Sequence, residues 1–187
     1  MDNKFKYSDR MPSLLRQSNL PIGLRKVNPE FLKPSIRSIC ENMKAFKTGS
    51  IYLYGPGRGK STSAAALMLN YLNLYRYNYN IDDVGYYISG YDLCRFNRTM
   101  NRYNEDDAAY YNKVMYQVKH AKCLIVDNIF DYMTQTDELL FNAIYDSRQY
   151  CDGLTIYTTI AIEPLQCAGT TLYRIARDAN HKEQFLC

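Results

Sequence analysis

The stretch that most constrains what this chain can fold into is GPGRGKST at residues 55–62. Glycines in such a loop let backbone N–H groups turn inward around an anion. The common pattern is G-x-x-x-x-G-K-[ST] between a strand and a helix, and residues 59–61 match its end. Tyr54 stands where the pattern has its first glycine, and Gly55 follows one position later. The sequence therefore predicts a phosphate-binding loop that is one residue short of the common form.

The residue types in this loop match the chemistry of a bound nucleotide. A helix that begins near Gly59 directs the positive end of its dipole toward the phosphates. Lys60 is predicted to reach the β and γ phosphates, and Ser61 is predicted to ligate Mg²⁺. The residues predicted to bind the nucleotide at this loop are Gly55, Pro56, Gly57, Arg58, Gly59, Lys60, Ser61 and Thr62.

A second motif, CLIVDN at residues 123–128, has the Walker B form of four apolar residues followed by an acid. Asp127 is predicted to hold Mg²⁺ through water at the end of a buried strand. An apolar run that ends in aspartate is common alone, but it is informative beside a Lys-Ser loop. Lys60, Ser61 and Asp127 together predict that the chain binds ATP and Mg²⁺.

The residue after Asp127 is Asn128, where many ATPases of this kind have an acid that orients the attacking water. Asparagine can hydrogen-bond water but cannot accept its proton. Two interpretations stay open: either ATP hydrolysis is slow, or another acid such as Asp131 takes that role. A plain turn residue is a third interpretation of Asn128.

Strand and helix patterns alternate along the whole chain. GSIYLYG predicts a strand at 50–54, KSTSAAALMLNYLNLYRY a long helix, and DVGYYIS, KCLIVDN and GLTIYTT further strands. The tail at 169–182 is predicted to be helical. This order predicts an α/β fold with a mostly parallel sheet and helices on both faces.

Charge is distributed unevenly along the chain. Residues 1–47 hold 10 Lys and Arg against 4 Asp and Glu, whereas the net charge of the whole chain is only +4. We predict a basic extended arm at 1–30 that precedes an ATPase domain at 31–187. The arm either contacts nucleic acid or an acidic protein, or is a solvated tail.

No apolar run approaches the roughly 18 residues of a membrane span. The polar N-terminus MDNKFKYSDR argues against a secretory signal. The six cysteines show no CxxC pair, which favours reduced thiols over disulfides or a zinc site. A cytoplasmic location without membrane attachment is predicted.

Polar residues lie at the end of the last predicted strand and in the segment after it. The strand TIYTT ends in Thr158 and Thr159, and its tip is expected beside the γ-phosphate, where a polar group can sense the nucleotide state. The later segment YRIAR contains Arg174 and Arg177. An arginine there could stabilise phosphate charge in a neighbouring subunit's site, or be a solvated helix residue.

Four segments together resemble one family: SIYLYGPGRGKSTSAAALMLNYL, KCLIVDNIFD, LLFNAIYDSRQYCDGLTIYTT and LYRIARD. In order and spacing, over about residues 30–180, they are similar to the AAA+ core of bacterial replicative-helicase loaders, the DnaC/DnaI-like and IstB-like group. The resemblance implies a P-loop NTPase of the AAA+/RecA-like class. It also implies an ATP-switched protein that self-assembles through its ATP site and acts with a replicative helicase and single-stranded DNA.

The resemblance also assigns roles to individual residues. Thr159 falls in the region that senses nucleotide state, Arg174 is a candidate arginine finger, and Arg148 stands where the family has an arginine before the sensor strand. The metal ligands that the resemblance implies for this chain are Ser61 and Asp127. The residues that it assigns to catalysis are Lys60, Asp127, Asn128 and Arg174.

The chain departs from the family in several places. The loop is short, Asn128 replaces an acid, and Ile160 stands at the sensor asparagine, which leaves Thr158 or Thr159 to serve. The separate N-terminal helicase-binding domain of larger loaders is expected to be absent. A compact, divergent version of this kind fits a phage or a plasmid.

The predicted function is an ATP-binding DNA-replication accessory protein with slow or partner-dependent hydrolysis. Two other functions stay open, a small P-loop nucleotide kinase and an ATPase-fold module that acts as adaptor or inhibitor of a replication protein. RFNRTMNRY, with Arg95, Arg98 and Arg102, is basic and interleaved with aromatic residues. It is either a surface for single-stranded DNA or an exposed helix face.

Overall fold

The computed structural model describes residues 10–80, 82–99, 105–129, 134–161 and 170–186. No helix in this part of the chain is long and apolar enough to cross a membrane. The strands described there are β1 Gly49–Tyr54, β2 Gly85–Ser89, β3 Cys123–Ile129, β4 Leu154–Thr159 and β5 His181–Gln184. The helices described there are α1 Arg10–Gln17, α2 Pro34–Glu41, α3 Lys60–Tyr75, α4 Gly90–Thr99, α5 Glu105–His120, α6 Gln135–Gln149 and α7 Thr171–Asp178. Short 3-10 turns lie at Ile22–Leu24, Pro29–Phe31 and Met43–Phe46.

The strands form a single sheet in the order β2-β3-β4-β1-β5, and all the pairs are parallel. The predicted α/β fold with a mostly parallel sheet is therefore confirmed. After β1 the chain crosses to the far edge of the sheet through α3 and returns by way of β3 and β4. The carboxyl ends of these strands lie along one edge, where side chains distant in sequence can converge.

Strand β3 shows why helices cover both faces of the sheet. Cys123 and Ile125 join the core cluster that includes α1, α2 and α3 residues. Leu124 and Val126 join the opposite cluster, with residues of α4, α5, α6 and α7. Because successive strand residues point to opposite faces, a strand buried on both sides has a continuous apolar run.

The segment that begins at Arg10 packs onto the sheet and α3. Leu14 of α1 and Leu20 after it are buried in the core cluster. The main-chain N–H of Tyr87 in β2 donates to the Ser18 carbonyl at 2.7 Å, and Asn19 Nδ2 donates to the Tyr87 carbonyl at 3.1 Å. This turn therefore closes part of the exposed edge of β2. The division at residue 30 between an arm and a domain stays a prediction.

The predicted helix over 169–182 is wrong at its end. Helix α7 ends at Asp178, and His181–Gln184 form β5, which pairs with β1. The sequence of β5, HKEQ, is short and polar and has no apolar alternation. Its strand conformation comes from hydrogen bonds to β1, so the local pattern does not reveal it.

Candidate functional site

The glycine-rich loop joins β1 to α3 at the carboxyl edge of the sheet. Gly59 is the N-cap of the 16-residue helix α3 and has a φ of 97°, a left-handed conformation that favours glycine. Glycine has no side chain, so the N-cap residue itself does not cap the N–H groups at this helix start. These donors and the positive end of the helix dipole are therefore directed into the loop, which is the arrangement that binds a phosphate.

The C-terminal segment after β5 packs against the same loop. The N–H of Gly57 donates to the Phe185 carbonyl at 2.9 Å, and the N–H of Phe185 donates to the Tyr54 carbonyl at 2.7 Å. A Cβ at Gly57 would lie 2.2 Å from the Leu186 oxygen. Lys33, just before α2, donates to the Gln184 carbonyl at 2.5 Å. The shape of the loop thus depends on a segment more than a hundred residues away in sequence.

Lys60 lies inside the loop. Its side chain is buried, and Nζ donates to the Gly55 carbonyl at 2.6 Å and to the Gly57 carbonyl at 2.5 Å. The ammonium group therefore lies against main-chain oxygens of the phosphate loop itself. An incoming phosphate would compete for this ammonium, because a charged phosphate oxygen attracts it more strongly than a neutral carbonyl oxygen does.

Asp127 is the centre of a group of hydroxyls. Ser61 Oγ donates to its Oδ1 at 2.9 Å, and Thr158 Oγ1 donates to the same oxygen at 2.6 Å. Tyr87 Oη donates to Oδ2 at 2.7 Å. These side chains come from α3 and from β2, β3 and β4, and the parallel sheet brings them to one edge. The structure thus brings the two predicted metal ligands, Ser61 and Asp127, within hydrogen-bond distance and adds Tyr87, while their role as ligands stays a prediction.

Tyr87 was not identified from the sequence. Tyrosine is an ordinary strand residue, and GYYIS carries no motif that separates Tyr87 from Tyr86. Burial, followed by the hydrogen bond to Asp127, raises the pKa of Tyr87 well above its usual range. The phenol therefore stays protonated at neutral pH and acts as a donor to the carboxylate.

The two threonines at the end of β4 have different partners. Thr158 contacts Asp127, and its Oγ1 also accepts from the Asn128 N–H at 2.7 Å. Thr159 is fully buried and donates to the Ile129 carbonyl at 2.8 Å. Of the two, Thr158 contacts the carboxylate of the site, whereas the nucleotide-binding role of Thr159 stays a prediction. Ile160 beside them is half-exposed.

Asn128 lies at an irregularity between β3 and β4. Its φ is 57°, a left-handed conformation that asparagine tolerates better than most residues. The strand register shifts between Val126 and Ile129, as in a β-bulge. Its side chain is exposed. The left-handed backbone thus gives a reason for asparagine at this position, in addition to any role in hydrolysis. Asp131, the alternative acid, lies outside the described residues.

The candidate arginines lie in different surroundings. Arg58 is exposed at the tip of the loop, with Pro56 also exposed, while Thr62 is half-buried in the first turn of α3. Arg174 on α7 donates to Asn142 Oδ1 at 2.6 Å and to Asp146 Oδ1 at 2.7 Å on α6. Its role as an arginine finger stays a prediction.

Two further arginines have structural partners. Arg148 is buried, and Nε donates to Thr155 Oγ1 at 2.9 Å at the start of β4, the end of the strand opposite Thr158. Arg98 of the proposed DNA surface forms an ion pair with the buried Asp137. Arg102 of that surface lies outside the described residues.

The arrangement matches the chemistry of a nucleotide with a divalent cation. The loop offers main-chain donors and a lysine for phosphate oxygens. Beside it, Ser61 and Asp127 offer the hydroxyl and carboxylate oxygens that Mg²⁺ prefers. Among the described residues no group of three or more His, Cys, Asp or Glu forms a separate metal cluster.

Comparison with known proteins finds solved structures of similar fold but no sequence match. No family model matches the chain, and no curated protein matches it by sequence. The crystal structure of DnaI is similar at 16% identity with a TM-score of 0.65, over 90% of this chain and 95% of that chain. The crystal structure of the DnaC helicase loader is similar at 16% identity with a TM-score of 0.56, over 81% of this chain and 86% of that chain.

A second group of similar structures comes from replication initiators. The initiator DnaA bound to AMPPCP and single-stranded DNA is 14% identical with a TM-score of 0.56, over 86% of this chain and 51% of that chain. The chain thus spans about half the length of that protein. These likenesses confirm the predicted α/β fold, which this chain shares with DnaC and DnaI.

Proposed function

We propose that this protein binds Mg·ATP at the loop of residues 55–62 and serves as a replication accessory ATPase similar to helicase loaders. One observation carries the proposal: Lys60, Ser61 and Asp127 lie together at the start of α3, where the glycine loop ends. Ser61 Oγ lies 2.9 Å from Asp127 Oδ1, and Lys60 Nζ lies in the glycine loop. This combination supplies phosphate and cation ligands at one point of the sheet edge.

Each residue of the site has a defined task in this proposal. The N–H groups at the start of α3 and the Lys60 ammonium bind phosphate oxygens, and Ser61 and Asp127 hold the cation and its waters. When bound, Mg²⁺ supplies charge neutralisation on the phosphates. Thr158 holds the Asp127 carboxylate in place through its 2.6 Å hydrogen bond.

The proposed partners are a replicative helicase and single-stranded DNA. The support is the fold shared with a helicase loader and with an initiator bound to single-stranded DNA. We also propose self-assembly in which Arg174 of one copy leaves Asp146 and approaches the phosphates of the next. The chain would then switch its contacts with helicase and DNA according to the bound nucleotide.

The first test is Mg²⁺-dependent binding of a fluorescent ATP analogue to the wild type and to Lys60→Ala. We expect Lys60→Ala to weaken binding about tenfold to a hundredfold, because a hydrogen bond to a charged group contributes about 1.5–3 kcal/mol. Lys47→Ala is the matched control, since Lys47 pairs with Asp152 at 3.7 Å on the surface. Equal affinity in wild type and Lys60→Ala, or no binding by either, would contradict the proposed site.

The same samples separate the proposed role from its alternatives. Phosphate release should change when single-stranded DNA or a replicative helicase is added. Transfer of phosphate to a nucleoside monophosphate would instead identify a kinase. Nucleotide binding without hydrolysis under every partner condition would identify an interaction module.

Slow hydrolysis in the absence of partners is the expected consequence of Asn128. Asn128→Asp should raise the rate of phosphate release about tenfold. This is less than the ~10²–10⁴-fold acceleration by a fully positioned base, because the short aspartate side chain places its carboxylate less well. Aspartate also tolerates the left-handed backbone at this position, where φ is 57°. Asn128→Gly, which keeps the backbone but adds no acid, is the control. An unchanged rate in Asn128→Asp would show that the missing acid does not limit turnover.

A further inference from the structure

The hydroxyl of Tyr87 is the feature of the site that the known motifs do not explain. It donates to Asp127 Oδ2 at 2.7 Å. Tyr87 lies on β2, two residues before Ser89, which pairs with Asp127 across the sheet. The tyrosine therefore reaches diagonally along the adjacent strand to the carboxylate.

The hydrogen bonds to Asp127 are divided unequally between its two oxygens. Ser61 and Thr158 both donate to Oδ1, at 2.9 Å and 2.6 Å. Within the described residues, Tyr87 is the side chain that donates to Oδ2. With it, rotation about the Cβ–Cγ bond of Asp127 would break hydrogen bonds at both oxygens, whereas without it only the bonds at Oδ1 oppose that rotation. The phenol thus adds a second fixed point to the carboxylate, at the oxygen that Ser61 and Thr158 do not contact.

Tyr87 is itself held firmly on both sides of its strand. On one side it pairs with Ile125 of β3. On the other side its N–H donates to the Ser18 carbonyl at 2.7 Å, and its carbonyl accepts from Asn19 Nδ2 at 3.1 Å. Its ring packs against the buried core cluster. A donor with a fixed backbone and a packed ring can impose an orientation on its acceptor.

We propose that Tyr87 is a positioning residue of the metal site, which holds Oδ2 of Asp127 so that Oδ1 stays beside Ser61 for the cation and its waters. This inference rests on the proposed binding of Mg·ATP. Tyr87 does not itself contact the nucleotide in this proposal. It acts through Asp127 and sets the concentration of Mg²⁺ at which the site fills.

The test is Tyr87→Phe, which removes the hydroxyl and keeps the ring. In a Mg²⁺ titration with the fluorescent ATP analogue, we expect half-saturation at about tenfold more Mg²⁺, because removing a group that orients a metal ligand typically lowers metal affinity about 10- to 100-fold. Affinity for the analogue without Mg²⁺ should be unchanged. Tyr86→Phe is the matched control, because the adjacent ring belongs to the opposite core cluster.

The outcomes separate this inference from the proposed function. If the wild type binds the analogue in a Mg²⁺-dependent way and Tyr87→Phe has the same half-saturation, the positioning role is wrong and the nucleotide site stands. The role is also wrong if Tyr87→Phe lowers the melting temperature and the Mg²⁺-free affinity together, since that is a structural effect. A wild type without Mg²⁺-dependent binding overturns both.

Discussion

Arg148→Ala should lower the free energy of unfolding by about 3 to 5 kcal/mol, because several buried acceptors lose their donor at once. The guanidinium donates to the Ala121 carbonyl at 2.5 Å, the Leu154 carbonyl at 3.1 Å and Thr155 Oγ1 at 2.9 Å. It thus joins the end of α5 to the start of β4. Its exposed fraction is only 5%.

Water can reduce the expected loss of unfolding free energy in Arg148→Ala. Each buried acceptor left without a partner costs about 1–3 kcal/mol, and water that enters the space of the missing side chain recovers part of that. In a chain of this size, the loss corresponds to a melting temperature about 10 °C lower. The measurement is urea unfolding followed by circular dichroism, together with thermal melting.

Arg177→Ala is the control for Arg148→Ala. Arg177 pairs with the adjacent Asp178, and its side chain is 56% exposed. Such surface ion pairs contribute about 0–1 kcal/mol, so little change is expected. If both variants have the same stability, the hydrogen bonds of Arg148 do not hold α5 and β4 together as the structure indicates.

Gly57→Ala should damage both the folding of the loop and nucleotide binding. The new Cβ would lie 2.2 Å from the Leu186 oxygen and 2.7 Å from the Leu186 and Phe185 carbonyl carbons. These are backbone atoms, so no side-chain rotation relieves the clash. The expected loss is about 3 kcal/mol of stability, at the upper end for overpacking. Affinity for the ATP analogue should fall by more than tenfold, since the loop and the C-terminal segment cannot both keep their positions.

Gly23→Ala is the matched control for Gly57→Ala. No atom lies within 4 Å of a Cβ placed at Gly23. That variant should bind the analogue and melt as the wild type does. A Gly57→Ala protein with wild-type affinity and melting temperature would mean that the C-terminal segment is not packed on the loop in solution.

The order of the motifs and the fold class were predictable from local patterns. Cys123–Ile129 reads as a strand buried on both faces because its apolar run is unbroken. The glycine-rich loop reads as phosphate-binding because few other functions need glycine, lysine and serine in that order. Lys60, Ser61 and Asp127 could therefore be named as candidates before their distances were known.

The sequence by itself thus determined strands β1 to β4, the loop and the central candidate residues, since each depends on neighbours along the chain. Only the tertiary structure decided which distant groups meet them. Tyr87 and Thr158 contact Asp127 because β2 and β4 flank β3, and β5 exists because β1 offers it hydrogen bonds. Such contacts join residues tens of positions apart, and the strand order of the sheet, which no local pattern encodes, brings them together.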